Sequence, residues 1–178
     1  GLNRRSSLCT VRVLEDTQPQ PGGILREVWL GIGGKNVGDL TSYSRFPDRP
    51  HLRDEIRTFE TPANWANNYG TRVRGFVSVP ADGEYTFWIA ADDQGELWLS
   101  PDETPEKARL VASAPSWTKP LEWTRHSTQQ SSPIPLQAGD RYYIEALHKE
   151  GAWSDHLAVA WSGPGINGPI VIPATALS

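Results

Sequence analysis

Two adjacent carboxylates, Asp92 and Asp93, stand at a hinge between two apolar runs. The surrounding stretch, GEYTFWIAADDQGELWLS at residues 83–100, predicts two β-strands that meet at an acidic corner. Such a pair has three possible roles, which the pattern alone leaves open. It can supply oxygens to a hard cation such as calcium, serve as an acid–base pair, or form an ordinary polar turn.

The spacing of the pair argues against acid–base catalysis. Carboxylates that flank a glycosidic bond lie about 5–10 Å apart, whereas adjacent residues of a regular strand point to opposite faces. Calcium takes about six to eight oxygen ligands, of which two carboxylates can supply up to four. For both side chains to face one ion, the backbone must depart from strand geometry, and a cis peptide between Asp92 and Asp93 would do this.

A second polar segment, HKEGAWSD at residues 148–155, separates two predicted strands at 141–147 and 157–161. If this loop lies beside the acidic corner, its carbonyl groups and Asp155 could complete a calcium shell. Trp153 or His148 could then pack on a sugar ring, since aromatic side chains present flat apolar faces. Neither His148 nor His156 has a cysteine partner, which disfavours zinc.

The rest of the chain predicts an all-β fold, an antiparallel β-sandwich or barrel with long loops. The 16 Gly and 15 Pro favour many turns, and we find no helical period over ten residues. An Asp82-Gly83 pair predicts a hairpin turn, and residues 33–62 are interpreted as long ordered loops with short extended pieces. Predicted strands cover residues 9–15, 24–32, 73–79, 85–90, 97–99, 109–113, 141–147, 157–161 and 170–172.

The length of 178 residues suits one domain with a real core. We expect an N-terminal extension at residues 1–22, an edge strand plus linker, followed by the main domain at 23–178. Cys9 is the only cysteine, so no internal disulfide or thiolate metal cluster is expected. The net charge of -4 argues against nucleic-acid binding, and no apolar run approaches the length of a membrane span. The absence of an initial Met suggests a processed form or a part of a larger protein.

The chain also resembles a known family. The runs NNYGTRVRGFVSVPADGEYTFWIAADDQGELWLS, AGDRYYIEALHKEG and LAVAW are similar to the protective-antigen-like β-barrel domain. This module is named after an insert in anthrax protective antigen and is found in bacterial adhesins, yeast flocculins and glycosidases. The similarity covers residues 23–178, and REVWLGIGGKNVGDLTSYSRFP looks like the opening of its long bacterial variant.

The resemblance implies an antiparallel β-barrel or sandwich in which a cis-linked Asp pair binds calcium, and the ion chelates neighbouring sugar hydroxyls. By position, that pair is Asp92 and Asp93, and the loop that sets sugar preference is residues 149–155. The predicted metal ligands are therefore Asp92, Asp93 and Asp155. The predicted sugar-binding residues are His148, Lys149, Glu150, Gly151 and Trp153.

Two departures from the family pattern bear on this site. Relatives often carry a run of glycines where this chain has Ala152-Trp153-Ser154, so Trp153 could block the sugar pocket or form a stacking platform in it. Relatives also often have Asp at the position of Asn67.

We therefore expect a calcium-dependent carbohydrate-binding module of a larger secreted or cell-surface protein, with carbohydrate as its partner. An enzyme is not expected, because no Ser-His-Asp spacing, phosphate loop or separated carboxylate pair is recognisable. The alternative is a structural or protein-interaction domain in which calcium only stabilises the fold.

Overall fold

The computed structural model describes residues 22–178. Cys9, the predicted strand at 9–15 and almost all of the predicted N-terminal extension lie outside these residues. Within residues 22–178, no helix has the length and apolar character needed to cross a bilayer.

The described part of the chain forms two antiparallel sheets. The larger sheet has six strands in the spatial order β2 (Leu52–Ile56), β1 (Ile24–Leu30), β3 (Tyr69–Val77), β8 (Tyr142–Glu150), β5 (Gln94–Leu99) and β6 (Arg109–Ala114). The smaller sheet has the order β10 (Ile166–Val171), β9 (His156–Gly163), β4 (Gly83–Asp92) and β7 (Ile134–Leu136). The other elements of residues 22–178 are one helix, α1 (Val37–Thr41), and 3-10 turns at Pro105–Lys107, Ser127–Gln129 and Ala174–Ala176.

Alternating apolar side chains from both sheets build the main core between them. Val73 of β3 and Ile144 of β8 face Phe87 of β4 and Val159 of β9 in a single buried cluster. Each such side chain contributes about 1.5–3 kcal/mol when it leaves water. The prediction of an all-β sandwich is confirmed; the described residues form no closed barrel.

The Asp82-Gly83 turn is not a hairpin, because β3 and β4 belong to different sheets. A strand has the same apolar alternation whether it pairs with the preceding strand in one sheet or packs against it from the opposite sheet. The sequence pattern therefore could not show which arrangement β3 and β4 adopt. Residues 33–62 also hold more structure than predicted. Strand β2 pairs with β1 through charged residues such as Arg26 and Asp54, and these give no apolar signal.

Helix α1 is short, yet its local sequence explains it. Asn36 and Asp39 form a capping box at its start, which satisfies free N–H groups of the first turn. Its apolar residues Val37 and Leu40 are buried in a second cluster with Trp29 and Leu147. The helix therefore covers one end of the six-stranded sheet.

Two connections cross between the sheets at the same end of the sandwich. One passes from β4 to β5 at Asp93, and the other passes from β8 to β9 through residues 151–155. Because β4 pairs with β9 and β5 pairs with β8, Asp92 lies opposite His156, and Gln94 lies opposite Lys149. The second loop therefore lies beside the acidic corner, which is the condition that the calcium hypothesis requires.

Candidate cation site

Three carboxylates converge where the two connections meet. One side-chain oxygen from each of Asp92, Asp93 and Glu150 lies within 4.8 Å of the others. The peptide bond between Asp92 and Asp93 is cis, as expected. This group of three residues is called the carboxylate cluster below.

Glu150 is the most deeply placed member of the cluster. Its side chain is fully buried, and within residues 22–178 neither carboxylate oxygen has a hydrogen-bond partner. Burial raises the pKa of Glu150 to about 8, and the negative charges of Asp93 and Asp92 act in the same direction. A buried carboxylate without a partner is costly, and a bound cation would offset that cost.

Asp93 is held in place from both sides. Its Oδ2 accepts a hydrogen bond of 3.0 Å from the Gly151 N–H, and its Oδ1 lies 3.4 Å from Nζ of Lys35. A Cβ atom at Gly151 would lie 3.0 Å from Cγ of Lys35 and 3.2 Å from Oδ2 of Asp93. The site therefore has little room for a side chain at residue 151. Burial, followed by the charge of Asp93, raises the pKa of Asp92.

His148 holds the backbone of the acidic corner through a hydrogen bond. Its ring is fully buried, and Nε2 lies 2.6 Å from the backbone oxygen of Asp92. Burial lowers the pKa of His148 to about 4, so the ring is neutral at pH 7 and Nε2–H is the donor to this carbonyl group. The expectation that His148 packs on a sugar ring is wrong, because the ring has no exposed face.

Lys149 is likewise inside the protein and not in a surface loop. Strand β8 continues to Glu150, three residues beyond its predicted end, because it is paired with β3 on one side and β5 on the other. Nζ of Lys149 donates to the backbone oxygens of Gly34 and Glu150. Burial lowers the pKa of Lys149. The last three residues of β8 are polar, so the apolar alternation used for prediction ended before the strand did.

Asp155, the predicted third metal ligand, has a different set of contacts. Its Oδ2 accepts hydrogen bonds from the backbone N–H groups of Trp65 at 2.7 Å and Ala66 at 3.1 Å. Its carboxylate is not part of the carboxylate cluster, and Glu150, predicted as a sugar-binding residue, is there instead. Asp155 thus organises the neighbouring loop at residues 64–68.

Trp153 is 90% exposed, and its backbone has a φ of +94°. A positive φ is uncommon for a residue other than glycine. The Trp153 N–H donates to Oδ1 of Asn67 at 3.2 Å. This hydrogen bond connects the loop at residues 151–155 to the loop at residues 64–68. An exposed indole leaves its face free for a ligand, and the sugar-binding roles of Gly151 and Trp153 stay predictions.

Sequence reasoning missed Lys35, and it did not place Glu150 with the Asp pair. Lys35 lies 58 residues from Asp93 in the chain, and nothing in its own surroundings, GGKNVG, indicates a role at the acidic corner. Glu150 follows two other polar residues in a strand, and only the pairing of β8 with β5 brings it to the Asp pair.

The sequence is similar to that of a known domain family and to parts of two much longer proteins. The PA14 domain family model matches residues 29–174. An N-acetyl-beta-glucosaminyl-glycoprotein 4-beta-N-acetylgalactosaminyltransferase 1 from Mus musculus is 41% identical over 152 residues, which is 82% of this chain and 14% of the relative. Fibrocystin from Canis lupus familiaris is 32% identical over 160 residues, which is 83% of this chain and 4% of the relative. The chain therefore spans only a small part of these curated relatives.

Solved structures share the fold at low sequence identity. A PA14 sugar-binding domain from an RTX adhesin has a TM-score of 0.66 and 12% identity, with 89% of this chain and 99% of that chain covered. The Epithelial Adhesin 6 A domain from Candida glabrata, in complex with Galb1-3GlcNAc, has a TM-score of 0.62 and 14% identity, with 91% and 88% covered.

Proposed function

This chain belongs to the PA14 domain family, and from that premise we propose that it is a calcium-dependent carbohydrate-binding module. The observation that carries the proposal is the carboxylate cluster, in which Glu150 is buried with both oxygens unpartnered within the described residues. Such a carboxylate supports a cation site, because a buried carboxylate without a partner is costly and a bound cation would compensate it.

The donor set favours calcium over softer metals. All side-chain ligands of the cluster are carboxylate oxygens, and hard cations such as calcium prefer oxygen ligands. Asp92, Asp93 and Glu150 would hold the ion and offset its charge. Calcium takes about six to eight ligands. Three carboxylates that each bind through one oxygen therefore leave some coordination positions open. The vicinal hydroxyl groups of a pyranose are proposed to take remaining positions.

Trp153 is proposed as the apolar contact of the sugar. Its exposed indole lies on the loop that begins at Gly151, which itself touches Asp93. Sugars offer apolar C–H faces that pack on aromatic rings. The complex of the Epithelial Adhesin 6 A domain with Galb1-3GlcNAc suggests galactose-containing disaccharides as first candidates. A small exposed ligand buries little surface, so the affinity for one sugar should be weak.

Binding without catalysis is part of the proposal. The three carboxylates converge with one oxygen of each within 4.8 Å of the others, whereas the two carboxylates of a glycosidase flank the scissile bond. We propose that the chain is a domain of a larger extracellular or cell-surface protein, in which several copies would strengthen weak binding. Calcium near millimolar outside cells would suffice for a site of modest affinity.

Isothermal titration calorimetry tests the proposal. Lactose and Galβ1-3GlcNAc are titrated into the protein in calcium chloride and again in EDTA, together with a glycan array under both conditions. The expected result is sugar binding that requires calcium and that Asp92→Asn abolishes. Asp48→Asn is the matched control, since Asp48 is exposed and lies outside the cluster. Binding in EDTA that equals binding in calcium would contradict the calcium mechanism.

The second candidate is a structural or protein-interaction domain in which calcium only stabilises the fold. The complete burial of Glu150 favours it, because neutralising that carboxylate would stabilise the sandwich whether or not a sugar binds. It predicts that EDTA lowers the melting temperature while the array stays empty in calcium. The first candidate predicts both a lower melting temperature and array signals that depend on calcium.

A further inference from the structure

The six-stranded sheet carries a cleft of about 490 Å³ on the face turned away from the core. Arg72 and Arg74, which line it, alternate along β3 with the fully buried Val73. The other main lining residues are Phe46, Trp98, Tyr143 and Glu145. We call this surface the outer cleft; its lining includes no member of the carboxylate cluster. Its volume is within the range of about 300–1,000 Å³ that is usual for ligand sites.

The outer cleft has fixed hydrogen-bond donors. Glu27 is fully buried in β1, directly opposite Arg53 of β2 and Arg72 of β3. Its carboxylate accepts hydrogen bonds from Nε of Arg53 at 3.0 Å, of Arg72 at 2.7 Å and of Arg74 at 2.9 Å. Within residues 22–178 the hydrogen bonds of Arg72 and Arg74 run through Nε and Nη2. The Arg74 side chain is 35% exposed, so its Nη1 can bind a ligand at a position that Glu27 has already set.

The outer cleft also has a fixed acceptor beside an aromatic ring. Glu145 lies opposite Arg74 on one side and Trp98 on the other. Oε2 of Glu145 accepts a hydrogen bond of 2.6 Å from the Tyr143 hydroxyl group, which leaves Oε1 for a ligand. The half-buried indole of Trp98 is held by its N–H, which donates to Glu96 at 3.2 Å. Such prior ordering reduces the entropy that a ligand must overcome.

The chemistry of the lining selects the class of ligand. Two guanidinium groups and two carboxylates, those of Glu106 and Glu145, line the cleft, so its charges balance and a charged ligand is not favoured. The cleft suits a neutral molecule that has both hydroxyl groups and an apolar face. Its hydroxyl groups could accept hydrogen bonds from Arg74 and donate to Glu145, while its apolar face packs on Trp98. A pyranose has these properties.

We propose that the outer cleft is a second, cation-independent binding site for a neutral saccharide, in which the ring stacks on Trp98 and hydroxyl groups bind Arg74 and Glu145. This site is separate in its residues and its chemistry from the carboxylate cluster. It would let one domain contact two sugars, which increases avidity without any change at the cation site.

Nuclear magnetic resonance in excess EDTA tests the outer cleft alone. The protein is labelled with 15N and titrated with galactose, glucose, mannose, N-acetylglucosamine and lactose at up to tens of millimolar. At least one sugar is expected to move the Trp98 indole N–H resonance in a saturable manner. Because chelation removes the proposed calcium site, failure at the outer cleft and failure of the calcium-dependent function are observed separately.

Two variants and one control make the test specific. Trp98→Ala should weaken the binding about tenfold, followed through the backbone N–H resonance of Glu145 because the indole signal is lost. Ala108→Trp should block the cleft while leaving its donors and acceptor intact, since Ala108 lines it. If Trp98→Ala does not fold, Ala108→Trp carries the test. Trp117→Ala is the control, because Trp117 is 45% exposed and lies outside the cleft. The proposal is overturned if no sugar moves Trp98, or if the saturable shift persists in Ala108→Trp.

Discussion

The backbone oxygen of Asp92 accepts a hydrogen bond of 2.6 Å from Nε2 of His148. This bond joins the last residue of β4 to strand β8, just before Glu150. The backbone of the Asp pair and the third carboxylate are thus tied to one another by a neutral, buried imidazole ring. The carboxylate cluster is held from its backbone side, and within residues 22–178 both carboxylate oxygens of Glu150 are left for a cation.

Glu150→Gln should separate cation affinity from intrinsic stability. Loss of one carboxylate ligand should lower calcium affinity at least about tenfold. The calcium-free protein should become more stable at pH 7. Burial raises the pKa of Glu150 to about 8, so folding must protonate a carboxylate that is ionised in the unfolded chain, whereas Gln is neutral in both states. Calorimetry with calcium and thermal unfolding in EDTA measure the two effects. An unchanged calcium affinity would remove Glu150 from the site.

Asp155→Ala should have the opposite profile. The N–H groups of Trp65 and Ala66 lose their acceptor, so the free energy of unfolding should fall by about 1–3 kcal/mol. Calcium affinity should stay within about twofold of the parent protein, because Asp155 lies outside the carboxylate cluster. Urea unfolding and calcium titration provide the measurements. A loss of calcium binding as large as that of Glu150→Gln would restore Asp155 as a ligand.

The pH dependence should follow Glu150. Its pKa is raised to about 8 without a cation, so calcium binding near pH 7 must displace a proton, and calcium affinity should rise as pH increases toward 8. A raised carboxyl pKa favours the folded state when the group is protonated. The stability that it contributes without calcium is therefore present below the ordinary pKa of Glu and is lost as pH rises through about 8. Calcium titrations and unfolding measurements in EDTA, made at several pH values up to about 8, measure the two effects. In the control variant Glu150→Gln, neither calcium affinity nor calcium-free stability should show this pH dependence.

Glu27→Gln should destabilise the larger sheet. Burial raises the pKa of Glu27, but hydrogen bonds and charges from Arg74 and Arg72 outweigh it, so the net pKa is lowered. The stability from this group is present above the ordinary pKa of Glu and is lost as pH falls through the lowered value. The substitution should reduce the free energy of unfolding by about 3 kcal/mol at pH 7 and flatten its acid dependence. Glu103→Gln, at an exposed residue, should change neither quantity.

Trp153→Ala should reduce sugar affinity without affecting calcium. The indole is 90% exposed, so its removal leaves no cavity, and the free energy of unfolding should change by less than about 0.5 kcal/mol. Calcium-dependent lactose binding should weaken several-fold if the ring stacks on the sugar. Stronger lactose binding would instead show that Trp153 obstructs the site, the other role that the sequence allowed.

The amino-acid sequence by itself determined the fold class, most strands of the core and the position of the Asp92-Asp93 corner. These features are local, since apolar alternation and a polar break are visible within about ten residues. Tertiary structure decided which residues share the site. Pairing of β8 with β5 brought Glu150 to the Asp pair, and the N–H groups of Trp65 and Ala66 bound Asp155 elsewhere. Such contacts join residues more than 50 positions apart, and no local pattern specifies which strands pair and which merely face each other across the core.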